Sequence, residues 1–314
     1  MTIGPEPMMR IVWMSLRRGI FEGSNEKSRG TLRVTGAMST ASKAADILPR
    51  HDMIPIVLHH GLMGFGDLQV GPVKLAYFRG IDRAIRAAGH PLIVSRVHPT
   101  GAIELRARQL KENILRGLKQ LGREREPILL IGHSLGGLDA RFMISQLGMS
   151  DRVAALLTIA TPHRGSPYAD WCLLNLGKRL GGLALMNMVG LDVRAVSDLT
   201  TTNCRRFNRV IKNVPGVQYF SVSGARPWHR VPPFAVHAHR IITAKEGEND
   251  CLVSVKSSTW GEHLGVWPAD HFHTINHKLV VEIKEPTGDI VPYWQAAIER
   301  VTYSLSPAGK PVKR

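Results

Sequence analysis

The chain has 314 residues, 44% of them hydrophobic, which supplies enough apolar surface for a sizeable core and excludes disorder along most of its length. Lys and Arg number 41 against 25 Asp and Glu, and the resulting formal charge of +16 suits nucleic acid, an anionic membrane surface or an acidic substrate. Aromatics are only 6% and are not interleaved with basic residues as base stacking requires, so no nucleic-acid partner is expected, while Cys172, Cys204 and Cys251 lack the spacing of a disulfide framework or a zinc ribbon.

Residues 1–50 mix Arg10, Arg17, Arg18, Lys27, Arg29, Arg33 and Lys43 with serines and show no sustained periodicity. They are expected to be a poorly ordered extension resembling a weak transit peptide, because Ile11-Val12-Trp13-Met14 is too short for a secretory h-region. No segment reaches the ~18 uninterrupted apolar residues of a membrane span, and the richest stretch, 173–191, is broken by Lys178 and Arg179. A cytoplasmic location follows as the expectation, with an organellar transit segment as the alternative.

From Pro55 the chain acquires rhythm. Pro55-Ile56-Val57-Leu58-His59 reads as a buried strand, followed by the glycine-rich turn Gly61-Leu62-Met63-Gly64-Phe65-Gly66. A helix is expected over 74–88 and a strand over 92–97. Segment 103–121 then carries Ile103, Leu105, Leu110, Ile114, Leu115 and Leu118 with charges between them, the pattern of a helix with one buried stripe. The strand around Pro127–Ile131, a helix around 138–147 and a buried strand over 153–160 come next. Segment 166–202 is rich in Leu, Met and Gly and is expected to be a helical lid insertion over an apolar site. A strand over 217–222, a closing helix over 290–303 and a basic tail over 305–314 complete the order. Alternating strands and helices imply a mostly parallel central sheet with helices on both faces, occupying residues 51–304.

The chemistry concentrates at Gly132-His133-Ser134-Leu135-Gly136-Gly137, directly after a strand and before a helix. A serine on a sharp strand-to-helix turn needs small neighbours, since a Cβ at Gly132 or Gly136 would collide with the tight backbone. Ser134 is therefore the nucleophile candidate. A serine hydroxyl is a poor nucleophile at neutral pH without a histidine base and a carboxylate to orient that base. The Gly-x-Ser-x-Gly turn resembles that of the α/β-hydrolases, whose chain order of nucleophile, acid and base implies a histidine near the C-terminus, and His263, His271, His273 and His277 then remain from fourteen histidines. Asp250 and Asp270 compete as the acid. Asp270 immediately precedes His271 and so cannot easily reach the far nitrogen of that ring. The pairs His237/His239 and His271/His273 have metal-like spacing but no complete ligand set, so neither metal nor cofactor is expected.

Four ordered segments resemble the bacterial true lipases, the triacylglycerol lipases of the α/β-hydrolase superfamily. These are residues 55–65, 132–137, 161–166 (Thr-Pro-His-Arg-Gly-Ser) and 249–254 (Asn-Asp-Cys-Leu-Val-Ser), with Asp270-His271-Phe272-His273-Thr274-Ile275-Asn276 behind them. The resemblance covers about residues 54–281 and implies the α/β-hydrolase fold. It also implies Ser134 as nucleophile, Asp250 as acid and His271 as base, with the backbone N–H groups of Leu62 and Leu135 as oxyanion hole. His59 and His60 would brace the oxyanion loop; His133 and His163 are read as packing or loop-bonding residues, and His263 and His273 as solvent-facing. Two departures are visible. Cys251 stands where the family has glycine, so the turn after the acid is expected to be unstrained, and His273 replaces a calcium-binding aspartate, so that calcium site is not expected.

The implied activity is hydrolysis of carboxylic esters, acylglycerols foremost, through an acyl-enzyme on Ser134. A lipid or ester substrate is the expected partner, with transient contact to a membrane or lipid-droplet surface. A short-chain carboxylesterase, a polyhydroxyalkanoate depolymerase and an acyltransferase would share this machinery, and an apolar-ligand-binding protein of the same fold would lack turnover.

Overall fold

A computed structural model describes residues 53–62, 64, 68–70, 73–178, 193–279 and 288–306. The expected extension over 1–50, the centre of the expected lid at 179–192 and the tail beyond 306 lie outside the described residues.

In chain order the elements are β1 (Ile56–His59), β2 (Leu68–Val70), β3 (Val73–Leu75), α1 (Ile81–Ala87), β4 (Leu92–Val94), α2 (Ile103–Gln120), β5 (Ile128–His133), α3 (Leu135–Gln146) and β6 (Val153–Ile159). Then follow α4 (Pro167–Lys178), α5 (Val193–Asp198), α6 (Thr201–Val210), β7 (Gln218–Gly224), α7 (Val236–Glu246), α8 (Val255–Ser258), β8 (Glu262–Trp267) and α9 (Val291–Leu305). Six strands form one parallel sheet in the order β4-β1-β5-β6-β7-β8, and β2 and β3 pair antiparallel apart from it.

Continuous apolar runs make these strands because both faces of the sheet are covered. Ile56, Leu58, Leu129, Ile131 and Leu157 point to one face, where they pack with Ile81 and Ile85 of α1 and Trp294, Ile298 and Val301 of α9. The alternate residues Val57, Ile128, Leu130 and Leu156 meet Leu110, Ile114 and Leu118 of α2 and Ala140, Met143 and Ile144 of α3 on the other. The period of two along each strand thus fills two separate cores.

The expected helix over 74–88 is corrected. Val73–Leu75 is a strand, and α1 begins only at Ile81 because Gly80 adopts φ 76°, a left-handed conformation that a helix interior does not hold. Strand β8 and helix α7 were not expected. Strand β8 lies at the sheet edge, where Glu262, His263 and Gly265 interrupt any apolar run and most side chains stay partly exposed.

Strand order decides where a site can form. The chain leaves β1 for β4 on one side, then crosses back to place β5 on the other, so the segments following β1 and β5 diverge at the carboxyl ends of adjacent strands. A crevice opens at such a switch point. The pairing of His59 with Gly132 sets the start of the glycine loop level with the start of the Ser134 turn.

Candidate active site

Ser134 occupies φ 54°, ψ −130° between β5 and α3, a conformation costing on the order of 1–3 kcal/mol for a residue with a Cβ. The surroundings over-determine it. The Ser134 N–H donates to the Ile159 carbonyl at 2.9 Å, and the Ser134 carbonyl accepts from Thr161 Oγ1 at 2.8 Å. A Cβ on Gly132 would lie 2.8 Å from Gly137 Cα, and one on Gly136 would lie 2.7 Å from the His60 carbonyl oxygen. The glycines are therefore fixed by contact distances with the backbone, as the G-x-S-x-G spacing predicts.

Three residues from three segments meet here. Ser134 Oγ lies 3.0 Å from His271 Nε2, and His271 Nδ1 lies 2.8 Å from Asp250 Oδ2. With the Nδ1 hydrogen donated to the carboxylate, Nε2 is left to accept from the hydroxyl. Asp250 is fully buried and its other oxygen, Oδ1, accepts from the backbone N–H groups of Leu252 and Val253 at 3.0 and 2.7 Å. The turn aspartate that bonds its own backbone and the aspartate that orients His271 are thus the same residue. A main-chain bond from His271 N–H to the Asp250 carbonyl, 2.8 Å, locks the two loops together. Asn249 holds the turn from behind through Thr243 Oγ1, the Gly247 carbonyl and the Cys251 N–H, each at 2.9 Å.

The turn itself differs from expectation. Cys251 has φ 80°, so the thiol-bearing residue keeps the left-handed conformation that glycine would adopt without strain. It is fully buried with Val231 and Ala235, and burial pushes its thiol well above the ordinary cysteine value. That packing holds the residue in place.

The glycine loop reaches the serine from the β1 side. A Cβ on Gly61 would lie 2.8 Å from Ser134 Cβ, an approach only glycine allows. Leu62 follows directly, and Leu135 opens the twelve-residue α3, so their N–H groups belong to the two segments that flank Ser134. N–H groups in the first turn of a helix lack intrahelical partners and favour negative charge.

The remaining histidines sort by partner. His277 Nε2 donates to the Tyr77 carbonyl at 3.0 Å, away from Ser134. His273 is buried, contrary to the solvent-facing expectation, and its Nε2 bonds the Gly288 carbonyl at 3.0 Å. His263 is half-buried against Ser223 Oγ at 2.9 Å, also less exposed than expected. His163 is buried beside Thr158 Oγ1 at 3.0 Å. Asp270 accepts from the N–H groups of Phe272 and His273, both at 3.0 Å, and burial raises its pKa to about 6 against the opposing His273 N–H and Arg226 guanidinium. Among the described residues no group of three His, Cys, Asp or Glu side chains is arranged to hold a metal ion.

Sequence reasoning missed the support behind the glycine loop. Arg106 is fully buried and donates through Nε to Asp139 Oδ2 at 2.8 Å, and through its two terminal nitrogens to the carbonyls of His98 and His60 at 2.6 Å each. His59 bonds the same Asp139 oxygen at 2.9 Å and Ser95 Oγ at 2.7 Å, while His60 Nδ1 bonds the Gly61 carbonyl at 3.0 Å. Burial lowers His60 to about 3 and raises Asp139 to about 6, the latter against the pull of Arg106. A signal for Arg106 existed: it falls on the buried stripe of α2 between Ile103 and Leu110.

A family model described as a PGAP1-like alpha/beta domain matches residues 104–218, the stretch from α2 to the start of β7 that contains the Ser134 turn. Triacylglycerol lipase 2 of Saccharomyces cerevisiae is 33% identical over 214 residues, covering 66% of this chain and 64% of that protein. The match therefore spans slightly less than two thirds of the yeast protein. A triacylglycerol lipase of Vibrio cholerae is 28% identical over 276 residues, covering 77% of this chain and 86% of its own. Among solved structures, the metagenomic carboxyl esterase MGS0156 shares the fold with a TM-score of 0.64 at 17% identity, covering 93% of this chain and 89% of that one.

Proposed function

We propose that this chain is a serine hydrolase of carboxylic esters, of the lipase kind built on the α/β-hydrolase fold, whose main substrates are acylglycerols. The observation that carries the reading is the continuous line from Ser134 Oγ through the His271 ring to the buried Asp250 carboxylate, 3.0 and 2.8 Å, at a sheet switch point. Ser134 Oγ attacks the ester carbonyl and its proton passes to His271 Nε2. Asp250 stabilises the resulting imidazolium through Nδ1–H. The oxyanion of the tetrahedral intermediate accepts from the N–H groups of Leu62 and Leu135, donors of a kind worth ~10²- to 10³-fold in rate each. His271 returns its proton to the leaving alcohol, and water, deprotonated by the same ring, then releases the acid and frees Ser134.

The acylglycerol preference rests on the two triacylglycerol lipases to which the chain is similar. Contact with a lipid surface during turnover belongs to the same proposal. Purified protein is to be assayed on p-nitrophenyl esters of two to sixteen carbons and on triolein, alongside fluorophosphonate labelling of wild type and Ser134→Ala. Expected are labelling of wild type alone and rates that rise with acyl length. A folded wild type that leaves every ester intact sinks the hydrolase reading, whereas activity confined to the shortest esters keeps the chemistry and discards the lipid preference.

A further inference from the structure

We propose that Tyr77, His133 and Thr274 are positioning residues, a directed hydrogen-bond relay that holds the oxyanion loop in register with the base. The proposal rests on the ester-hydrolase reading above. Its geometry runs through four segments: Gly61 N–H to Tyr77 Oη at 3.1 Å, Tyr77 Oη to His133 Nδ1 at 2.7 Å, His133 Nε2 to Thr274 Oγ1 at 3.0 Å, and Thr274 Oγ1 to the His271 carbonyl at 2.6 Å.

Counting hydrogens fixes the direction. The His271 carbonyl can only accept, so Thr274 spends its single hydroxyl hydrogen there and must accept from His133 Nε2–H. A neutral imidazole protonated at Nε2 has a bare Nδ1, which accepts from the Tyr77 hydroxyl. The Gly61 N–H can only donate, and the phenol oxygen, having given its hydrogen to His133, accepts it. The constraints from both ends select the same tautomer of His133. Burial holds His133 well below the ordinary histidine value, which keeps the ring neutral as the relay requires.

The ends of the relay belong to the site. Gly61 immediately precedes Leu62, and the other terminus is the carbonyl of His271 itself. The His133 ring lies 4.8 Å from the His271 ring, centroid to centroid. Neighbouring bonds stiffen the same frame: Asn276 Nδ2 donates to the Arg79 carbonyl at 2.9 Å, and Trp294 Nε1 donates to the Thr274 carbonyl at 2.7 Å. A donor and a base on separate segments are thereby held to one spacing across Ser134, where misplacement by about 1 Å can cost ~10²-fold in rate.

The test is a double-mutant cycle with Tyr77→Phe and Thr274→Val on a p-nitrophenyl ester, each change removing one hydroxyl. Each single variant is expected to lower kcat ~10- to 10²-fold with KM within about twofold. The double variant should lose little more than one single, since a relay acting as a unit breaks once. ¹⁵N NMR of the histidine rings, which needs no turnover, should show His133 as the Nε2–H tautomer in wild type. An active wild type whose single variants keep their kcat, or whose losses multiply, overturns the relay and leaves ester hydrolysis standing. So does an Nδ1–H or doubly protonated His133 at pH 7. A folded wild type with the Nε2–H tautomer but no ester turnover overturns the hydrolase reading, and with it the role given to the relay.

Discussion

Among the described residues two Ser–His–Asp chains of nearly equal dimensions stand at the carboxyl ends of adjacent strands. One is Ser134–His271–Asp250, at 3.0 and 2.8 Å; the other is Ser95–His59–Asp139, at 2.7 and 2.9 Å. Distances do not separate them. Access, backbone and electrostatics do: Ser95, His59 and Asp139 are all fully buried, whereas Ser134 and His271 retain 8% and 6% exposure. Asp139 is shared with the Arg106 guanidinium. Ser134 by contrast sits on a strained turn beside the Gly61 loop. A serine, a histidine and an aspartate in a line are thus a scaffold device where the carboxylate neutralises a buried cation. The same line becomes a candidate for chemistry where the hydroxyl sits on a strained turn between strand and helix.

Matched substitutions break the comparison most forcefully. Ser134→Ala or His271→Ala is expected to lower kcat/KM by ~10⁴-fold or more while the fold persists. Ser95→Ala should leave the turnover of folded molecules close to wild type and lower the thermal midpoint instead, because its buried partner loses a hydrogen bond worth about 1–3 kcal/mol. Ester assays paired with thermal melts read both columns. Loss of turnover in a fully stable Ser95→Ala protein would erase the distinction. Asp139→Asn extends the contrast to the carboxylates: it strands the buried Arg106 charge and should destabilise by about 3–5 kcal/mol, seen as a lower urea midpoint. Asp250→Asn should cost ~10⁴-fold in kcat through the wrong tautomer of His271.

Proton linkage sharpens the scaffold side. His59, His60, His133 and His163 are all lowered, in each case first by burial. Unfolded, these rings titrate near 6.5, so below that pH the unfolded chain takes up protons that the native chain refuses, and stability falls as pH falls. Asp139 and Asp270, raised to about 6, act in the opposite sense between about pH 4 and 6, where the native chain holds protons that the unfolded chain has released. The lowered histidines, His263 and His277 included, outnumber the two raised carboxylates, so the net effect is a loss of stability on acidification through that window. Urea midpoints at pH 7, 6 and 5 should fall in that order. A flat series would mean that these histidines are not buried as neutral rings.

The sequence exposed one of the two chains and hid the other for a physical reason. Ser134 carries its own local mark, the glycines that a tight strand-to-helix turn requires, and the parallel sheet was legible from apolar runs such as Ile128–Ile131. The positions of Asp250 and His271 rested on the order of resembling segments, since nothing local distinguishes His271 from His273 or His277. Ser95, Arg106 and Asp139 join through contacts between residues 33 to 80 positions apart, which no local period encodes. Tyr77 was misplaced because its segment was read as helix, while Gly80 delays the start of α1. Cys251 is the converse: a cysteine in place of the family's glycine implied an unstrained turn, but the residue adopts φ 80°.

The smallest expected effect separates the two regions at the level of a single methyl group. In Gly61→Ala the added Cβ would stand 2.8 Å from Ser134 Cβ and 3.1 Å from both the His133 carbonyl oxygen and Tyr77 Oη, so the loop must recede. A loop displaced by a few tenths of an ångström still folds, but the Leu62 N–H aims less well at an oxyanion, and kcat should fall ~10-fold with KM nearly unchanged. Gly148→Ala is the scaffold counterpart. Its φ is +65° and nothing lies within 4 Å of the new Cβ, so the change costs about 1 kcal/mol of backbone strain and leaves turnover alone. Steady-state kinetics and melts on both variants give the answer. A Gly61→Ala protein with wild-type kcat would mean that the loop does not need this closeness to work, and the oxyanion role proposed for Leu62 would lose the contact on which it stands.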